Sequence, residues 1–153
     1  MSQQSLNIDG VARATQIITG AMVSGVVTFG AVVVFALGAL TEPPSGFIIS
    51  GVGAVFSLVA FVLHLVIPSV IAAQQSHGAN KQQLYGIYLQ KTIVGLALLE
   101  GAAFFNLIAC IVEHNWWSLA IAGGLCFWML AMFPTRTKIE HWAETQQMSL
   151  GGP

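Results

Sequence analysis

With 153 residues, 56% of them hydrophobic and 7% charged, and a mean hydropathy of +0.77, the chain carries more apolar matter than a water-soluble domain can hide. Five basic and six acidic residues leave a net charge of −1, which excludes the phosphate-neutralising patch of a nucleic-acid binder. Cys110 and Cys126 each lie inside an apolar run, so neither a disulfide framework nor a CxxC metal or redox site is available.

A hydrocarbon core of about 30 Å demands about 20 apolar residues per helix. Four runs meet this, predicting helices over about 12–40, 46–73, 83–113 and 116–134 in one membrane domain, 1–153. The opening polar segment has one Arg and no small-residue cleavage site, and the run behind it is too long for a signal peptide, so it is expected to be retained. The first run, Ile17 to Leu40, is uncharged, and Pro43-Pro44-Ser45-Gly46 then imposes a tight turn. The second, Phe47 to Ala73, is interrupted only by His64 and Pro68. Pro68 has no N–H to bond the carbonyl of His64, which leaves that oxygen free. A polar connection, Gln74 to Lys91, leads to the third run, Thr92 to Val112, which holds Glu100 and Asn106. Glu113 then marks a second turn, as Glu42 marks the first. Trp116 and Trp117 open the fourth run at the position of an interfacial aromatic belt, and Pro134 ends it. The tail, 135–153, contains a short polar helix, Arg136 to Gln147, with Ile139, Trp142 and Ala143 on one flank, expected to lie along the cytoplasmic interface.

Arg13, Lys81, Lys91, Arg136 and Lys138 all fall at one end of the four runs, while the two opposite turns carry no basic residue. By the positive-inside rule that end is cytoplasmic. The expectation is an all-α integral membrane bundle of four transmembrane helices in two antiparallel hairpins. Both termini would be cytoplasmic, in the inner membrane of the cell.

In lipid, small residues let helices approach closely. Gly20, Ser24 and Thr28 on the first helix, Ala97 and Gly101 on the third, and Ala120 and Gly124 on the fourth recur at fourfold spacing, which predicts helix-packing seams inside the bundle. So few short helices enclose little interior, which favours a homo-oligomer or membership of a larger membrane complex.

Glu100 is the single charged residue well inside a span. A carboxylate at that depth is costly, so it is expected to be protonated, paired, or facing water or protein, and it is the candidate ion-binding residue. Small neighbours, Ala97, Gly101 and Ala103, leave room for an ion or a partner helix, while Phe104 and Phe105 keep water out. Counting depth from the same boundary places His64 about 8 Å and Glu100 about 12 Å inside, so a His64–Glu100 pair is a second expectation. Asn106, about 240° around the helix from Glu100, is expected to face a different neighbour as interhelical glue. No GxSxG, HExxH or P-loop motif occurs, and His77, His114 and His141 are scattered, so no enzyme, metal site or cofactor is expected.

The stretch LALLEGAAFFNLIACIV, within residues 92–112, resembles the ion-carrying helix of the rotor-ring proteolipids, the c subunits of rotary ATP synthases. Glu100 matches the mid-membrane carboxylate and Phe105 the aromatic five positions later. The resemblance implies that Glu100 binds a proton or a small cation and exchanges it within an oligomeric ring. The chain departs from that family in its second helix, which is not glycine-dense, and in carrying the carboxylate on the third helix rather than the last. The alternative role is a non-catalytic accessory or scaffolding membrane subunit in which Glu100 is a structural hydrogen-bond lock.

Overall fold

The computed structural model describes residues 8–75 and 79–150, so His77 and the first seven residues lie outside the described part. Within it the chain is all helical: α1 (Ile8–Ala31), which continues as a π-helical turn (Val32–Ala36), α2 (Ile48–Gln75), α3 (Lys81–Glu113), α4 (Trp116–Ala131) and α5 (Arg136–Leu150). Among the described residues three helices are long and apolar enough to cross a membrane. A fourth span is counted if α4 and α5, bent by 72° at their junction, are taken as one. The predicted fourth helix is thus shorter than expected. Its 16 residues reach about 24 Å, because Pro134 stops it and Thr135 restarts the chain in a new direction.

Each boundary has a local cause. Gly38, at φ +59, takes the left-handed conformation that ends the first helical segment, and Thr41 folds back on its carbonyl through Oγ1 at 2.6 Å and its amide at 2.8 Å. Asn80 and Gln83 form a reciprocal capping box that starts α3. His114, at φ 55, ends α3. Helix α2 runs unbroken through Pro68.

The packing departs from two simple hairpins. Helices α1 and α2 do not touch; α3 lies between them and contacts every other helix. Half of the apolar window of α3 is buried, against 22% for α1 and 17% for α2. Its buried small residues, Gly95, Ala102, Ala103 and Ala109, explain this, since neighbours can approach on several sides. Two cores result. One, along the long helices, joins Val23 and Val26 of α1 and Val33 of the π-helical turn with Leu99, Leu107 and Met129. The other ties α5 back to the bundle: Ile139 and Ala143 are fully buried with Val11, Leu84 and Tyr85, and Trp142 packs beside them, on the flank the sequence singled out.

The predicted small-residue seams face the other way. Gly20, Ser24 and Thr28, Ala97 and Gly101, and Ala120 and Gly124 are all exposed, and nothing approaches within 4 Å of a Cβ placed at Gly20, Gly101 or Gly124. Inside the chain α1 packs instead through Thr15, Thr19, Val23 and Val26, with Thr15 and Thr19 returning their hydroxyls to the carbonyls of Val11 and Thr15. Threonine at these positions satisfies itself and leaves a methyl for packing, so the buried face needs no glycine.

Candidate functional site

Glu100 lies thirteen residues before the end of α3, about 20 Å along the axis from Glu113. It is partly exposed, on the edge of α3 that meets α1. A Cβ at Gly25 would stand 3.8 Å from Glu100 Oε1 and 3.8 Å from the Phe104 ring, ordinary contact distances that place the carboxyl directly beside the α1 backbone. Phe104 in turn packs on Phe29, ring centroids 5.5 Å apart, closing one side. Ala97 and Gly101 sit beside Glu100 on the outward face of α3. Among the described residues the carboxyl has neither a hydrogen bond nor an ion pair.

The expected His64–Glu100 pair is not formed. His64 is buried, with Nδ1 2.9 Å from the Gly95 carbonyl oxygen and Nε2 3.0 Å from Met132 Sδ. The carbonyl can only accept, so Nδ1 carries the proton and donates. Depth counting carries no information about azimuth, and α3 presents Gly95 to α2 and Glu100 to α1. The contact is close: a Cβ at Gly95 would fall 2.9 Å from His64 Nδ1 and 3.3 Å from Pro68 Cγ.

Asn106 does join α3 to α2. Its fully buried amide donates to Ser57 Oγ at 2.6 Å and approaches the carbonyls of Ala102 at 2.8 Å and Gly53 at 3.3 Å. Its Oδ1 is buried without a donor. Gly53 is what allows the approach, for a Cβ there would meet Oδ1 at 3.0 Å and the Phe105 ring at 3.2 Å.

A third polar cluster escaped the sequence. At the far end of the bundle the buried Glu113 carboxylate accepts the backbone N–H of Ile49 at 2.7 Å and of Ser50 at 2.8 Å. These are two of the four orphan donors that open α2, and the anion also suits the positive end of its dipole. Asn115 donates to the Gly46 carbonyl, and Ser45 returns its amide to the Glu113 carbonyl at 3.0 Å. His114 donates to the Ala39 carbonyl at 2.9 Å and lies 3.5 Å from Glu42. Glu42 and Glu113, read as markers of separate turns, belong to one network that clamps both. The signal was present in outline: an acidic residue at a helix end opposite a proline turn whose next helix has no capping side chain of its own.

The polar groups therefore divide. Asn106, His64 and Glu113 each bond a neighbouring segment and hold the bundle together, whereas Glu100 bonds none. Among the described residues no group of three His, Cys, Asp or Glu is placed to hold a metal ion. No protein-family model, curated protein or solved structure matches this chain.

Proposed function

We propose that this chain is a small, non-enzymatic membrane subunit in which Glu100 takes up and releases a proton or small cation. In this reading α1, α2, α3 and the apolar α4 cross the bilayer, both termini face the cytoplasm, and α5 lies along the cytoplasmic boundary. The clustering of the five basic residues toward one end supports that orientation. In this reading the membrane is the inner membrane of the cell.

The observation that carries the reading is the carboxyl of Glu100, within the apolar run of α3, unpaired among the described residues, and on the edge of α3 beside Gly25 of α1. A structural lock would show the bond it makes, as Asn106 and Glu113 do. A carboxyl in such a run with no fixed partner is open to an approaching polar group or cation, which is what exchange requires. The outward small residues on α1, α3 and α4 support assembly with further copies or with a larger complex, because they suit close helix contact and find none within the chain. The tail is not a free docking face, since its apolar flank, Ile139 and Ala143, is spent on this bundle.

A lipid-soluble carbodiimide, which takes the proton of a neutral carboxyl and is then attacked by the carboxylate oxygen, tests the reading in native-like membranes with the adduct mapped by mass spectrometry. Glu100 is expected to react, faster as pH falls, and a bound cation is expected to slow it. Glu100→Gln, isosteric with the neutral acid, is expected to fold and assemble as wild type and lose the adduct at that position. A Glu100 that stays unreactive at every pH, or reacts at a rate indifferent to pH and cations, would overturn it.

A further inference from the structure

A second polar site, independent of Glu100, lies where α2, α3, the end of α4 and α5 converge. A cavity of about 400 Å³ opens there, within the range of small-molecule sites. His64, Pro68, Tyr88, Lys91, Met132 and Trp142 contribute to its wall. The Lys91 ammonium sits 4.0 Å from the centre of the Trp142 ring and 4.8 Å from that of Tyr88, and those two rings pack 5.5 Å apart. Aromatic faces hold the cation in place but do not neutralise it. Among the described residues no carboxylate lies within ion-pair distance of Lys91. Thr92 donates its hydroxyl to the Tyr88 carbonyl at 2.8 Å, and a neutral hydroxyl could not balance the charge of Lys91 in any case.

His64 supplies the second irregularity. With Nδ1 donating to Gly95, a singly protonated ring would present its Nε2 lone pair to the Met132 thioether, which has no proton to give. A buried acceptor therefore faces the cavity wall without a donor. The site thus offers an un-neutralised ammonium and, beside it, a nitrogen that wants an O–H. Ser69, Thr92 and Gln146 add polar groups to the wall, and Leu65 and Val66 of α2 lead away from it as an exposed apolar strip along the helix.

We infer that this cavity binds the head group of an acidic glycerophospholipid, its phosphate on Lys91 and a head-group hydroxyl on His64 Nε2, with the acyl chains running along α2. The level fits, since Lys91 stands at the polar end of the span, where anionic head groups collect around juxtamembrane basic residues. The charge fits as well, and a zwitterionic lipid would bring its own cation against Lys91.

Tryptophan fluorescence of the purified full chain in detergent tests this, with phosphatidylglycerol or phosphatidylcholine bearing brominated chains as quenchers. Trp142→Phe identifies the component that reports on the cavity. That component is expected to saturate with the acidic lipid at a concentration lower by about fivefold or more, the worth of one basic residue near an anionic lipid. Lys91→Met is expected to abolish the preference and Lys91→Arg to keep it. Native mass spectrometry of the unaltered protein gives a reading free of any folding defect in the variants: acidic-lipid adducts are expected to outlast phosphatidylcholine adducts. Equal quenching by the two lipids, a preference that survives Lys91→Met in a folded variant, or equal survival of both adducts would overturn the proposal. Relief of quenching by millimolar inorganic phosphate would also overturn it, showing a site for a soluble anion.

Discussion

Asn106 is the polar group on which the α2–α3 contact most depends, and its worth can be worked from its bonds. The side-chain amide has two N–H groups for three oxygens, of which Ser57 Oγ at 2.6 Å is the strong interhelical partner and Gly53 O at 3.3 Å the weak one. Ser57 stays bonded to the Gly53 carbonyl at 2.8 Å whatever happens to Asn106. Interhelical hydrogen bonds in lipid contribute about 0.6 kcal/mol on average and reach about 1.7. Loss of the unpaired Oδ1 offsets part of what Asn106→Ala removes, while the vacated volume adds about 1 kcal/mol. The sum is a destabilisation of about 2 kcal/mol for Asn106→Ala. Asn106→Leu, which fills the space and carries no orphaned oxygen, should cost less than about 1 kcal/mol. Reversible unfolding in mixed micelles of rising SDS content, followed by circular dichroism, measures both. The coupling between Asn106→Ala and Ser57→Ala isolates the bond and is expected at about 1 kcal/mol. Strict additivity, within about 0.3 kcal/mol, would show that the contact carries no energy and would refute the reasoning.

The other expectations rest on single contacts. Gly95→Ala drives a methyl against His64 and Pro68 and is expected to destabilise by about 1–3 kcal/mol in the same unfolding assay, whereas Gly51→Ala, with open space around it, is expected to be tolerated. Glu113→Gln keeps one acceptor and loses the charge that caps α2, so hydrogen exchange at the Ile49 and Ser50 amides should quicken while mid-span amides stay protected; unchanged protection there would show the cap to be idle. Gly25→Ala meets Glu100 only at ordinary contact distance and should leave carbodiimide labelling unchanged, whereas Gly25→Leu should cover the carboxyl and slow it.

The long apolar helices, the stop at Pro134 and the apolar flank of the tail were legible because each is written in contiguous sequence: run length, a missing N–H group, helical spacing. The interhelical role of Asn106 was legible too, since its angle from Glu100 follows from helix geometry alone. Pairing between helices was not. Which face of α3 meets α1 and which meets α2 is set by packing around Gly95, Ala102 and Ala103, and depth counting is blind to rotation. The small-residue seams misled for a related reason: fourfold spacing identifies a smooth face without saying what lies against it. The clamp of Glu113 on Ile49 and Ser50 joins residues more than sixty apart, and the placing of Lys91 against Trp142 depends on α5 folding back, so neither leaves a local signature.

The central claim is that Glu100 exchanges a proton from within the span. Infrared difference spectra recorded across a pH step, on the protein in lipid, read it directly through the carbonyl stretch of the protonated acid. The account expects a band from a carboxyl in apolar surroundings that falls as pH rises and is absent in Glu100→Gln. A spectrum identical in wild type and Glu100→Gln, with no such band at any pH, would contradict it.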